Sequence, residues 1–258
     1  MKNFLINQST AVRTLVIPEV RSVVDNVRPD YDGVRPYDTN IVEWLKPIVD
    51  LSEFYVYPMN GITEGLNWWY NRELRSVVMR RGDYQWIEPK LSNYPAIPQV
   101  TYLSVPSSID GDFVDVPNRG PIALDLAYVG STRIQKIEVP DNVEYAFYSL
   151  SKSFGIRNVR TGWFFSRKKD DRLDDLIHKA KYYNYYAHDI SEAVINNFSI
   201  DYVYNYFYEQ QQQICKELNF VPSDSVWLAT TEDEDYKKFR RSGNVARICL
   251  AGVYNEKA

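Results

Sequence analysis

The chain has 258 residues, 45% of them apolar and 25% charged, with a formal net charge of −4. That length holds one large domain or two modest lobes around a sizeable core. The mild acidity provides no global field for phosphate backbones, which argues against a nucleic-acid partner. Two cysteines and two histidines are too few, and wrongly spaced, for a structural zinc site, so no metal is expected. The basic runs Arg80-Arg81 and Arg167-Lys168-Lys169 read as solvated loops or helix ends. The start, MKNFLINQSTAVRTLVI, lacks the continuous apolar segment of a secretory signal. No stretch approaches the roughly 20 apolar residues that span a bilayer. A cytoplasmic, reducing environment is the expectation. The 21 tyrosines and 6 tryptophans suit a thick core and a large buried interface.

Residues 1–40 are rich in Pro, Asp and Arg (VRPDYDGVRPYD) and predict an extended arm with turns. From Thr39 a helix is expected, with Asn40 as its cap and Ile41, Trp44, Leu45 and Val49 on one face. The apolar stretch FYVYPMN then leads into GITEGLNWWYNREL, a tight glycine turn feeding a helix. Strand-like runs follow at Gln85–Ile87, Val100–Val105, Ile122–Ala127 and Tyr145–Ser149, with GWFFS after Thr161. Strands separated by turns and helical patterns predict an α/β fold with a mostly parallel central sheet flanked by helices. Beyond Asp170 the pattern is helical through DDRLDDLIHKAKYY and ISEAVINNF to an aromatic segment ending near Leu218. VWLATT and ARICLAGV predict strands of a smaller lobe. The expected division is an arm at 1–40, a large domain at 41–200 and a small lobe at 201–258.

Ligands of open α/β sheets bind beyond the carboxyl ends of the strands, so residues just after a strand carry the most weight. Three clusters meet that test. In YSLSKSFGIRNVRTG, Tyr148 to Gly162, a strand ends in hydroxyls and a lysine. Lys152, shielded by apolar neighbours, has the setting of a nucleophile. Ser149, Ser151 and Arg160 are suited to a phosphate dianion through charge-assisted hydrogen bonds. In LDLAYV, Asp125 ends an apolar run and Tyr128 follows three residues on. In NGITEGL, Gly61, Ile62 and Thr63 offer backbone amides at a helix N-terminus, with a hydroxyl from Thr63.

Together these segments resemble the class I/II aminotransferases, the aspartate-aminotransferase superfamily of fold type I pyridoxal-phosphate enzymes. The cofactor-lysine signature stands complete as Ser149-Leu-Ser151-Lys152, Gly155 and Arg160-Thr-Gly162. The resemblance implies that Lys152 carries pyridoxal 5'-phosphate as a Schiff base. It implies that Asp125 pairs with the pyridinium nitrogen, keeping the ring an electron sink, and that Tyr128 bonds the ring hydroxylate. The Gly61-Ile62-Thr63 loop would hold the phosphate. An aromatic ring from GDYQWIEP would stack on the cofactor; Tyr84 and Trp86 are both candidates, and either also suits a core position. SGNVARICLAG resembles the strand whose arginine grips the substrate α-carboxylate, here Arg247, with a structural salt bridge as the bland alternative.

Two departures stand out. In SVPSSIDGDF, Ser108 occupies the place of the family's Asn and Ile109 that of its Pro. The chain is also short for a member, with losses expected in the arm and the small lobe. The resemblance implies an aminotransferase that moves an amino group between an amino acid and a 2-oxo acid. Lyase, decarboxylase and synthase chemistry are the alternatives, together with a non-catalytic binding protein that kept the fold. It also implies a homodimer whose subunits share residues across the interface; Tyr37 in the arm is a candidate for such sharing.

Overall fold

Four runs of β-branched and aromatic residues, Val100–Ser104, Ile122–Asp125, Val143–Tyr148 and Gly162–Ser166, form β3 to β6 of one sheet. They are preceded in the chain by β1, Tyr55–Met59, and the short β2, Val77–Met79. The computed structural model describes residues 12–28, 36–84, 87, 89 and 98–254. The strand order is β1-β6-β5-β4-β3-β2. Strands β2 to β5 pair in parallel, and β6 runs antiparallel to both β5 and β1. Five strands therefore share one direction. Every residue of β4 and of β6 is buried, as expected of strands covered on both faces.

Helices cover the sheet. After α1 (Pro18–Asn26) and α2 (Ile41–Leu45) comes α3, Ile62–Arg72, which buries Gly65, Leu66 and Trp69 against the sheet. A short α4, Leu150–Ser153, follows β5 directly, and α5, Asp171–Asp174, follows β6. In α6, Tyr185–Asn197, the buried set Ala187, Ile190, Ser191, Val194 and Ile195 recurs at helical spacing along one face. The long α7, Tyr202–Leu218, buries Val203, Phe207, Gln211, Ile214 and Cys215 and ends at Asn219 in a left-handed conformation. Buried Gln211 donates to the carbonyls of Ser223, Ser225 and Leu228, tying α7 to a second, antiparallel sheet. That sheet has the order β7-β8-β10-β9, from Val221–Pro222, Leu228–Thr231, Val245–Cys249 and Arg240–Ser242 respectively. The chain closes its described part with α8, Ala251–Tyr254.

The mostly parallel sheet and the strands at Val100, Ile122, Tyr145 and Gly162 stand where the sequence places them. Three expectations need correction. The arm is not wholly extended: α1 starts at Pro18, whose fixed φ suits a first helical turn, and Val20 is fully buried. Helix α2 is short, since Pro47 follows it, and Val49 pairs with Ile137 in an isolated bridge. Asn40 makes no side-chain cap; Thr39 Oγ1 accepts from the Ile41 amide instead. Of the run at 85–87, only Ile87 lies within the described residues.

Candidate active site

The carboxyl ends of the five co-directional strands converge at one edge of the sheet. Gly61 follows β1, Asp83 and Tyr84 follow β2, Ser107 and Ser108 follow β3, Asp125 ends β4, and Ser149 to Lys152 follow β5. Because β6 runs the opposite way, its first residue, Gly162, falls at the same edge, beside Met59 at the end of β1. The topology thus collects residues separated by a hundred positions.

Lys152 is partly buried on α4. Its Nζ lies 4.8 Å from the centre of the Tyr128 ring and 5.3 Å from that of Tyr84. Both rings present their faces to the amine, a cation–π arrangement that fixes its position. Asp125 is 4% exposed. One of its oxygens accepts from the Ala127 amide at 2.8 Å, and the other accepts from the Tyr102 hydroxyl. Burial raises the Asp125 carboxyl above its ordinary value, while the Tyr102 hydroxyl and the Lys152 charge oppose that rise. Burial and the adjacent carboxylate push Tyr102 well above the usual phenol range, so Tyr102 remains the donor. A carboxylate so enclosed favours a cationic partner.

A second sub-site surrounds the start of α3. Gly61 occupies its N-cap with φ 85°, a left-handed conformation that favours glycine. The Arg160 guanidinium lies over it: a Cβ at Gly61 would come within 2.9 Å of Arg160 Nη2, and that nitrogen donates to the Asn60 carbonyl at 3.0 Å. Gly162 is pressed against Gly61 in turn, since its Cβ would stand 2.7 Å from the Gly61 Cα. Backbone meets backbone there, so Gly162→Ala should force β6 away from the α3 start. We expect a loss of about 1–3 kcal/mol of stability, the usual cost of overpacking, measured by denaturant unfolding. Ile62 and Thr63 follow in the first turn of α3, where free amides and the helix dipole attract an anion.

The two serines before Lys152 differ. Ser149 Oγ donates to the Thr161 carbonyl at 2.7 Å and accepts from the Ser151 amide at 3.0 Å, capping α4. Ser151 Oγ is buried with no hydrogen-bond partner among the described residues. An orphaned buried hydroxyl is costly, and one placed just before Lys152 fits an anionic ligand that would accept its hydrogen.

Ser108 has two engagements. Its hydroxyl donates to Asp83 Oδ1 at 2.5 Å, and its carbonyl accepts from Arg247. The serine hydrogen is therefore already used, which bears on the place the sequence gives it. Arg247, on β10, is 6% exposed and reaches from the second sheet to the loop after β3. Trp86, the other stacking candidate, lies outside the described residues. Tyr37 is buried within its own chain, accepting from Trp163 Nε1 at 2.8 Å.

Three residues escaped the sequence reading. Asp83 is 3% exposed and accepts from Ser104, Ser108 and the Tyr84 amide. Tyr102 reaches Asp125 only because β3 lies beside β4. Arg241 lies within electrostatic reach of Tyr84, Tyr128 and Arg247. An Asp between Gly and Tyr in GDYQW was the available signal for the first; no local pattern marks the other two.

A cavity of about 390 Å³ adjoins the sub-site at the start of α3, at the end of β1 and the start of β6, with Asn60, Thr161 and Gly162 in its lining. Trp163, Tyr183, Asn184 and His188 line it, and Leu176 and Tyr182 stand at its rim, 40% and 73% exposed. Among the described residues no group of His, Cys, Asp and Glu could hold a metal ion. No described helix is long and apolar enough to cross a membrane.

No protein-family model matches the sequence, and no curated protein sequence matches it significantly. Solved structures do resemble it. An aminotransferase from Staphylococcus aureus superposes with a TM-score of 0.63 at 14% identity, over 94% of this chain and 88% of that one. The PLP-bound C-S lyase from Staphylococcus hominis gives 0.67 at 12% identity, over 96% and 89%. The PLP-dependent cyclase OrfR gives 0.62 at 13% identity, over 98% and 93%. With a six-stranded, mostly parallel sheet flanked by helices, the chain has the fold shared by these structures, the fold type I architecture.

Proposed function

We propose that this chain is a pyridoxal-phosphate-dependent enzyme acting on amino acids, and that its reaction is transamination with a 2-oxo acid. The observation that carries this reading is the placement of Lys152 Nζ 5.3 Å and 4.8 Å from the centres of the Tyr84 and Tyr128 rings, at a sheet edge that also presents buried Asp125. The residues present fit the cofactor. Gly61, Ile62, Thr63, Ser151 and Arg160 would hold its phosphate, with Ser149 bracing the α4 turn. Asp125 would hold the proton on the ring nitrogen, and Tyr84 or Trp86 would stack on the ring. When bound, the group supplies an aldehyde and an electron-withdrawing ring that weakens bonds at the amino-acid Cα.

Lys152 Nζ is the attachment point, and the freed amine is the general base that takes the Cα proton. Arg247 would orient the substrate carboxylate through its planar fork. Ser108 is engaged with Asp83, so a ring hydroxyl would rely on Tyr128.

The three neighbours catalyse different chemistry by their names, so a lyase or cyclase reaction at the same lysine is the second reading. Incubating the cofactor-loaded protein with pairs of amino and 2-oxo acids separates these. Transamination transfers the amino group and yields the new amino acid stoichiometrically. Release of ammonia or thiol without transfer would replace it with lyase chemistry, and inertness toward a broad panel would point to a binding protein.

We also infer a homodimer and a two-lobed chain, with the second sheet as the centre of the small lobe. The exposed Leu176 and Tyr182 around an aromatic cavity support an interface there, since large aromatics concentrate at interface centres. Light scattering should give twice the 30.2 kDa chain mass. Tyr182→Asp should shift the protein toward monomer; a monomeric wild type would overturn the assignment.

A further inference from the structure

The sheet edge holds a second buried carboxylate besides Asp125. Asp83 is 3% exposed and closes the turn after β2, its amide donating to the Arg80 carbonyl at 3.1 Å. Three donors converge on its Oδ1: the Ser104 hydroxyl at 2.6 Å, the Ser108 hydroxyl at 2.5 Å and the Tyr84 amide at 2.8 Å. Burying a carboxylate is costly unless donors surround it. Hydrogen bonds to a charged acceptor are among the strongest a protein makes, so this knot is stiff.

The knot joins parts of the chain that differ in their support. Ser104 ends β3 and is the register partner of Asp125 on β4, and Ser108 belongs to the loop after β3. Tyr84 follows β2, a strand of three residues at the edge of the sheet, which gives the chain beyond it little to rest on. The Asp83 oxygen fastens that chain onto β3 and its loop. The residue so fastened carries the ring whose centre lies 5.3 Å from Lys152 Nζ. Tyr128, the other ring facing the amine, needs no such device, because it follows the fully buried β4 and is itself 1% exposed. Tyr84 is only partly buried. A group set against a reacting centre keeps its geometry through the hydrogen bonds behind it.

Resting on the functional reading above, we propose that Asp83 is a positioning residue: its Oδ1 holds Tyr84 in place, so that the ring faces Lys152 and is set to stack on the cofactor. It acts through Tyr84, and the acceptor oxygen is what it contributes.

The cofactor-free protein tests this by two readouts. Titration with pyridoxal phosphate should show Asp83→Ala binding about tenfold more weakly than the wild type. Asp83→Asn keeps a carbonyl acceptor and should restore the wild-type affinity. In a Tyr84→Ala background Asp83→Ala should have no further effect, because residues acting through one contact are not additive. Nuclear Overhauser contacts between the Tyr84 ring and the Lys152 side chain, recorded without cofactor, should persist in Asp83→Asn and vanish in Asp83→Ala. If the alanine chain does not fold, Asp83→Ser replaces it with the same expectations, since a serine hydroxyl is too short to reach all three donors. An Asp83→Ala protein that keeps the ring contacts and the affinity, and merely melts earlier, would overturn the proposal. So would a loss of affinity of equal size with and without the Tyr84 ring, which marks action by another route. A wild type whose ring contacts depend on Asp83 but which takes up no pyridoxal phosphate sinks the cofactor reading and keeps the positioning of Tyr84. Uptake that is indifferent to Asp83 sinks only this inference.

Discussion

Lys152→Ala should abolish the borohydride-fixed cofactor adduct and lower turnover by roughly 10⁴-fold, the upper range of general acid–base catalysis. The effect is large because one amine has two roles, attachment and proton transfer. The fold should survive, since the Lys152 amine makes ring contacts while the α4 cap is made by Ser149. Visible spectra of wild type and variant after borohydride, with peptide mapping of the modified residue, check the point. A wild type that binds pyridoxal phosphate and is modified at another lysine would move the attachment site. A wild type with no visible band would remove the enzyme reading.

Asp125→Asn should act in opposite directions on activity and on stability. Activity should fall by roughly 10²–10³-fold, the range seen when a preorganised charge is removed from an active site. The cofactor-free protein should instead become more stable at neutral pH. Burial raises the Asp125 carboxyl in the folded chain. A raised folded value means that its stabilising contribution is complete below the unfolded value, near pH 4, and is lost as pH rises through the folded value. At neutral pH the carboxyl group therefore opposes folding, and the amide does not. The amide can still accept from Ala127 and meet the Tyr102 hydroxyl, which both donates and accepts. We expect a gain of about 1 kcal/mol, or roughly 2–4 °C in melting temperature, that disappears below about pH 4. A cofactor-free variant less stable than wild type at pH 7 would show that the carboxylate is a structural group.

The same residues explain what was legible in advance. Lys152, Asp125 and Gly61 stood out because each belongs to a local motif at or just after the end of a strand. Tyr84 was readable only as one of two aromatics; its approach to Lys152 depends on how the chain after β2 packs. The α1 helix was missed because its buried face is narrow, with Val20 its buried residue, so packing on α6 decides it more than periodicity does.

By itself the sequence determined four strands of the mostly parallel sheet and the place of Lys152, Asp125 and Gly61 at or just after strand ends, since these follow from periodicity and short-range turn chemistry. Tertiary structure alone decided the rest. It set the Tyr102 hydroxyl on Asp125 through the pairing of β3 with β4, diverted the Ser108 hydroxyl to Asp83, pressed Gly162 onto Gly61, and brought Arg247 onto the Ser108 carbonyl. Each of these is a contact between segments distant in the chain, where burial and charge act across space and leave no periodic trace in the residues between.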